Sequence, residues 1–225
     1  MIGDEIYEKL KSKYELRLED YIAPKLHDRS LFEFIVAVML SQNTSDKNAW
    51  KAYNNLLNKL GSLTPENILK LNSRELAELI KTAGMHYQRS MRIRELAEVF
   101  LTSNPEQVLM EYIKRKDYEN ARQYLIDLPG VGYKTADVVL LMKYNIPTFP
   151  VDTHIMRITH RLGVVSKINY DSVRKFWMVN TSIELYLPLH LMLITHGRKT
   201  CKAKAPICSD CTIRGYCSMY LSGLK

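Results

Sequence analysis

Long apolar runs are missing from this chain. The longest near its start, Ile35 to Leu40, is far too short to span a bilayer, and Glu33 and Ser41 border it. The opening residues, Met1 to Tyr7, lack the basic start and apolar stretch of a secretory signal. The expected location is therefore a reducing one, the nucleoid-associated cytoplasm or the nucleus, and not the secretory route. Internal repeats, low-complexity tracts and an evident linker are absent too, and convincing strand alternation is scarce. Cysteine does not occur before position 201, which argues against a disulfide framework.

What is present fits a soluble, basic, helical protein that acts as a monomer. The 225 residues suffice for one sizeable core or two modest ones, and 32 Lys+Arg against 24 Asp+Glu give a net charge of +8. That balance favours a polyanionic partner such as nucleic acid, although many basic proteins bind none. Helix signals recur along the chain. Ser30-Leu-Phe-Glu33 has the form of a capping box opening an apolar helix to about Leu40, and a second helix starts near Ser45 and stops at Gly61. Thr64-Pro65 and Asn104-Pro105 read as N-cap plus proline, and Ser73-Arg-Glu-Leu76 opens a helix ending near Gly84. From Gln88 to about Leu101, Met91, Leu96, Val99 and Phe100 predict a buried stripe with arginines on the other face. Further helices are predicted over 152–162, 172–179 and 188–198, giving an all-α chain.

The sharpest signal is Leu128-Pro-Gly-Val-Gly-Tyr-Lys-Thr-Ala136. Pro129 stops one helix, while Gly130 and Gly132 permit unusual backbone angles and let a phosphate approach the amides. The next helix adds free N–H groups and the positive end of its dipole, a grip on DNA backbone without sequence readout. A plain interhelical turn would use the same glycines. Lys134, in the first turn of that helix, is harder to explain structurally: the dipole disfavours an added cation there, and a neutral amine can attack a sugar carbon to form a Schiff base. Asp152 reads as the N-cap of the helix that follows Phe149-Pro-Val, a sufficient structural role. The same carboxylate could also stabilise positive charge developing on a sugar ring.

Cys201, Cys208, Cys211 and Cys217 are separated by six, two and five residues, so four thiolates can close around one centre. Spacing alone leaves zinc and a [4Fe–4S] cluster equally open. Lys202 and Lys204, between the first two cysteines, suit phosphate contacts or a solvated charge run.

Taken in order, Leu128–Ala136, Val151-Asp-Thr-His-Ile155, His196-Gly-Arg198 and the cysteine tail resemble the endonuclease III branch of the helix-hairpin-helix DNA glycosylases, over nearly the whole chain. The resemblance implies two helical domains with a DNA-binding cleft between them: residues 25–146 as a six-helix barrel carrying the hairpin, and residues 1–24 with 147–225 as a cluster domain. It implies a [4Fe–4S] cluster on the four cysteines, Lys134 as the nucleophile at C1′ and Asp152 as its assistant. The product is a free base, then strand scission by β-elimination at damaged, mainly oxidised-pyrimidine, sites in double-stranded DNA. DNA contacts are implied for Gln42 and Asn43 in the wedge loop, for Gly130, Val131, Gly132 and Thr135 in the hairpin, and for His154, Lys202 and Lys204. The chain departs from the common bacterial pattern at Gln42-Asn43, where a small residue and glutamine stand, and at Tyr133, where a basic residue is frequent. The Gly84–Tyr87 turn reads as a buried helix cap, with a second wedge as its alternative. Rival readings are a monofunctional mismatch or uracil glycosylase, a DNA clamp without catalysis, and a zinc-stapled binder.

Overall fold

A computed structural model describes residues 1–223. Among them there is no β-strand, and no helix is long and apolar enough to cross a membrane. The chain divides into two compact units, residues 1–17 with 147 onward, and residues 18–146. Helix α1 (Ile2–Lys11) belongs to the first. The second holds α2 (Ile22–Lys25), α3 (Leu31–Ser41), α4 (Asp46–Leu60), α5 (Pro65–Leu69), α6 (Ser73–Leu79), α7 (His86–Ser103), α8 (Pro105–Lys114), α9 (Tyr118–Asp127) and α10 (Tyr133–Val138), which runs on into a π turn over Val139–Lys143. The first unit then resumes with α11 (Thr153–Leu162), α12 (Tyr170–Val179), α13 (Tyr186–Lys199) and α14 (Ser218–Leu221).

In the 18–146 unit α3 is the central post. It is apolar all round, and Leu31, Phe32 and Phe34 to Leu40 are all buried, as such a helix requires. Around it Tyr53, Leu56, Leu76, Ile93, Leu96, Leu109, Leu125 and Val139 close one continuous core. Ser30 caps α3 by accepting from the Glu33 amide at 3.2 Å. The expected box is only half formed, because the Glu33 carboxylate takes the Tyr53 hydroxyl instead of reaching back. Thr64 caps α5 as predicted from sequence, and Gly61 ends α4 with φ +74°. The cap of α6 lies one residue before the expected Ser73: Asn72 accepts from Glu75 N at 3.0 Å while Glu75 returns to Asn72 N at 2.8 Å.

The expected stripe on α7 holds at Leu96, which is buried, and at Val99 and Phe100, which pack against the core, and fails at Met91. The buried face of the helix is Arg89, Ser90, Ile93, Leu96 and Ala97, whereas Met91 is 51% exposed. Arg89 can sit inside because backbone carbonyls satisfy its guanidinium: Nη1 donates to Ala83 O at 2.8 Å and to Gly84 O, and Nη2 to Gln42 O at 2.7 Å. The expected buried cap at Gly84–Tyr87 is also corrected. Gly84 and Met85 adopt positive φ, and Met85 and Tyr87 are 56% and 62% exposed.

The other unit packs α1 and α11 on α13. Its core contains Ile6, Leu10, Phe149, Ile155, Leu162, Trp177 and Leu193, with Phe149 and Trp177 stacked 5.8 Å apart and the indole N–H donating to Thr159 Oγ1 at 2.9 Å.

Candidate active site and cysteine centre

The hairpin follows from where each residue can go. α9 ends at Asp127, Leu128 turns extended, and Gly130 takes φ +78°. That angle calls for glycine, and a Cβ there would also meet the tip of the flexible Met39 side chain. Gly132 is different. Its φ of −100° is open to any residue and nothing lies within 4 Å of a built Cβ, so the expectation that it needs glycine's freedom is corrected. Empty space above its backbone is what remains. Val131 turns inward, 5% exposed, and its amide donates to Leu128 O at 3.1 Å.

Lys134 stands half-buried in the opening turn of α10, beside Tyr133, which is 52% exposed. The next residues point inward. Thr135 is 2% exposed, and its hydroxyl accepts from Gln42 Nε2 at 3.1 Å. Gln42 also donates to Gly130 O at 3.2 Å, so this side chain ties its loop to the hairpin across 88 residues. Asn43, the next residue, is exposed at φ +55°. Arg89 thus holds the 42 loop and the 83–84 turn together, and Gln42 holds that loop to the glycine turn. Between them opens a hollow of about 410 Å³, bordered by Met39, Gln42, Met85, Arg89, Met91 and Gly130. No local sequence signal marks Arg89, and the family resemblance implies only a DNA contact for Gln42.

Below the hairpin lies a second feature with no sequence signature of its own. Asp137, fully buried, accepts from Arg122 Nε at 3.0 Å, and the Arg122 guanidinium lies 5.4 Å from the centre of the Tyr133 ring. The pair joins α9 to α10, the two helices that flank the turn.

In the other unit Asp152 caps α11, its Oδ1 accepting from Ile155 N at 2.8 Å, and its side chain is half-buried. His154, also half-buried, lies 3.0 Å through Nδ1 from Arg157 Nη2. Because a guanidinium only donates, Nδ1 accepts. Desolvation lowers the His154 pKa, opposed by the Asp152 charge. The motif His196-Gly-Arg198 gains a steric reason: a Cβ on Gly197 would stand 2.6 Å from His154 Cβ.

The four cysteines carry no disulfide and line one hollow of about 30 Å³. Among the described residues no three His, Cys, Asp or Glu side chains form a group that could hold a single metal ion. Two arginines on one face of α11 brace the loop. Arg157 donates to Cys201 O at 2.9 Å and Gly197 O at 3.0 Å, and Arg161 donates to Lys202 O at 2.7 Å, Ala203 O at 3.0 Å and Cys201 Sγ at 3.2 Å. Lys202 and Lys204 project exposed from it. Burial pushes the Cys211 thiol up, and the neighbouring Cys201, Cys217 and Cys208 add to that by like-charge repulsion. Four thiolates so placed gain from a cationic iron or zinc centre that takes up their charge. His196 is 1% exposed, and burial, reinforced by Lys13, holds its pKa down to about 4.

Residues 36–181 match the sequence model of the HhH-GPD superfamily base excision DNA repair proteins. Endonuclease III of Sulfolobus acidocaldarius is 36% identical over 227 residues, covering 100% of this chain and 99% of that protein. Endonuclease III of Treponema pallidum is 35% identical over 86% of each chain. A non-covalent endonuclease III–DNA complex superposes with a TM-score of 0.75 at 26% identity, over 99% of this chain and 96% of that one. A trapped endonuclease III–DNA covalent intermediate gives 0.71 at 25% identity over 100% of both. The chain belongs to the HhH-GPD superfamily of base excision DNA repair proteins and, within it, to the endonuclease III family.

Proposed function

We propose that this enzyme, a DNA glycosylase and abasic-site lyase, removes oxidised pyrimidines from double-stranded DNA with Lys134 as its nucleophile. The observation that carries the reading is the half-buried lysine in the opening turn of α10, directly after a glycine turn with open space above Gly132. The Lys134 amine attacks C1′ of the everted nucleotide, and the bond from C1′ to the base breaks, the base leaving with a proton. Ring opening gives a Schiff base. Loss of a C2′ proton then expels the 3′ phosphate, and water releases the lysine. Asp152 stabilises the positive charge that develops on the sugar or carries protons. Its hydrogen bond from Ile155 N fixes the carboxylate at the start of α11.

Backbone grip is assigned to Gly130 and Gly132, and further phosphate contact to Lys202 and Lys204. Asn43, exposed where Gln42 is tied down, is the residue we assign to the gap left by the everted base. Thr135 and Val131 act by holding the turn, and His154 by its place beside Asp152. The four cysteines fit a [4Fe–4S] cluster through their donor chemistry and shared hollow, and such a cluster would cross-link the basic loop. Working on chromosomal DNA, the enzyme would reside in the nucleoid-associated cytoplasm or the nucleus.

An incision assay over oxidised pyrimidines, uracil, mismatches and abasic sites tests the function. Cleavage of oxidised-pyrimidine and abasic duplexes is expected. Base release from uracil or mismatches without strand scission would favour the monofunctional rival, and tight binding without either reaction the clamp. Gly132→Ala separates grip from folding: with free space around its Cβ, thermal stability should change by less than about 1 kcal/mol, while duplex affinity falls several-fold. Unchanged affinity would remove the phosphate from this position.

A further inference from the structure

We propose that His196 is a positioning residue for the cysteine-bound cluster, donating its Nε2–H to the Cys211 sulfur and so holding the cluster in its electron-richer state. This role rests on the [4Fe–4S] assignment above. The buried chain of contacts runs Thr200 Oγ1 to Tyr14 OH at 2.6 Å, Tyr14 OH to His196 Nδ1 at 3.0 Å, and His196 Nε2 to Cys211 Sγ at 3.6 Å. A ligating sulfur carries no proton and can only accept, so Nε2 bears the hydrogen. The neutral ring has one N–H, which leaves Nδ1 as acceptor and makes Tyr14 the donor to it. The Tyr14 oxygen in turn accepts from Thr200. Every hydrogen thus points the same way, toward the sulfur, and the ring is fixed by both of its nitrogens.

Nothing in the glycosylase chemistry uses these three side chains. Tyr14 is 7% exposed, Thr200 2% and His196 1%, so water does not offer the imidazole an alternative partner. The arrangement also joins distant parts of one unit: Tyr14 follows α1, His196 and Thr200 end α13, and Cys211 lies in the cysteine loop. An N–H dipole aimed at a cluster sulfur stabilises electron density there, most when the cluster holds more electrons, and so raises its reduction potential. Such a cluster resists losing an electron to an oxidant.

The test uses the purified holo chain with wild-type, His196→Phe and Tyr14→Phe forms, titrated anaerobically with ferricyanide. Ferricyanide takes one electron from the cluster and becomes ferrocyanide. Iron content and visible absorption are read alongside. His196→Phe should keep its iron but oxidise at a roughly tenfold lower ferricyanide-to-ferrocyanide ratio, a fall of about 59 mV for one electron. Tyr14→Phe keeps the ring but loses the hydrogen bond that sets the imidazole, and should shift in the same direction by less. A purely structural role would lower thermal stability and leave the potential where it was. Full iron with unchanged potential in both variants overturns the inference alone. So does an unchanged potential in Tyr14→Phe if His196→Phe fails to assemble its cluster. A wild-type chain without iron, or with zinc, overturns the cofactor assignment and this role with it.

Discussion

Lys134→Ala is expected to abolish covalent trapping of the protein on abasic duplex by borohydride and to reduce strand cleavage on the order of 10³-fold or more. Borohydride reduces a Schiff base to a stable amine, so the adduct reports the bond between lysine and sugar directly. The size of the effect follows from the role. A nucleophile has no partial substitute, and what remains in its absence is the background from binding and charge stabilisation. Binding should survive, because the phosphate contacts are assigned to the glycine turn and to Lys202 and Lys204, which the substitution leaves in place. The half-buried setting makes a folding defect small, because alanine is a good helix former and, among the described residues, no hydrogen bond or ion pair runs through the lysine amine. Undiminished trapping in the variant would move the nucleophile elsewhere. Base release that persists while scission disappears would show that water can open the glycosidic bond and that the lysine serves the second step alone.

The local signals of this fold were strong because they depend on neighbours in sequence. α3 is apolar on every side and had to be central, and Thr64, Ser45 and Asp152 cap helices as their positions predicted. Helix α1 is not among the helices predicted above, although Ile2, Ile6 and Leu10 share one face at spacing four. Arg89 was unreadable for a different reason. Periodicity ranks residues by polarity, and it cannot know that carbonyls of residues 42, 83 and 84 converge on a guanidinium. Those carbonyls let Arg89 lie inside at 5% exposure, while Met91 lies on the outer face. Gln42 joins Thr135 across 93 residues and Arg161 reaches Cys201 across 40, separations that no local motif encodes. The chemistry-bearing positions were legible from type and spacing, whereas the side chains that hold them still were set by tertiary contact.

Arg122 is where that difference should be most costly. Arg122→Ala is expected to destabilise the protein by about 3–5 kcal/mol, because the substitution strands the fully buried Asp137 carboxylate without its guanidinium. At about 2–4 °C per kcal/mol for a chain of this size, the thermal midpoint should fall on the order of 10 °C. Arg122→Lys should recover only part of this. An ammonium can reach the carboxylate, but it lacks the planar face that lies over Tyr133, and it is harder to desolvate. Replacing both partners, Arg122→Met with Asp137→Leu, removes the charges together and should be far milder than Arg122→Ala alone, since the cost lies in the orphaned carboxylate and not in the lost attraction. The lyase rate should nevertheless fall in the double variant if the pair sets the spacing of α9 and α10, three residues from Lys134. A loss below about 1 kcal/mol in Arg122→Ala would mean that Asp137 finds another partner or water, and that the hairpin is held by its glycine turn and by Gln42 instead.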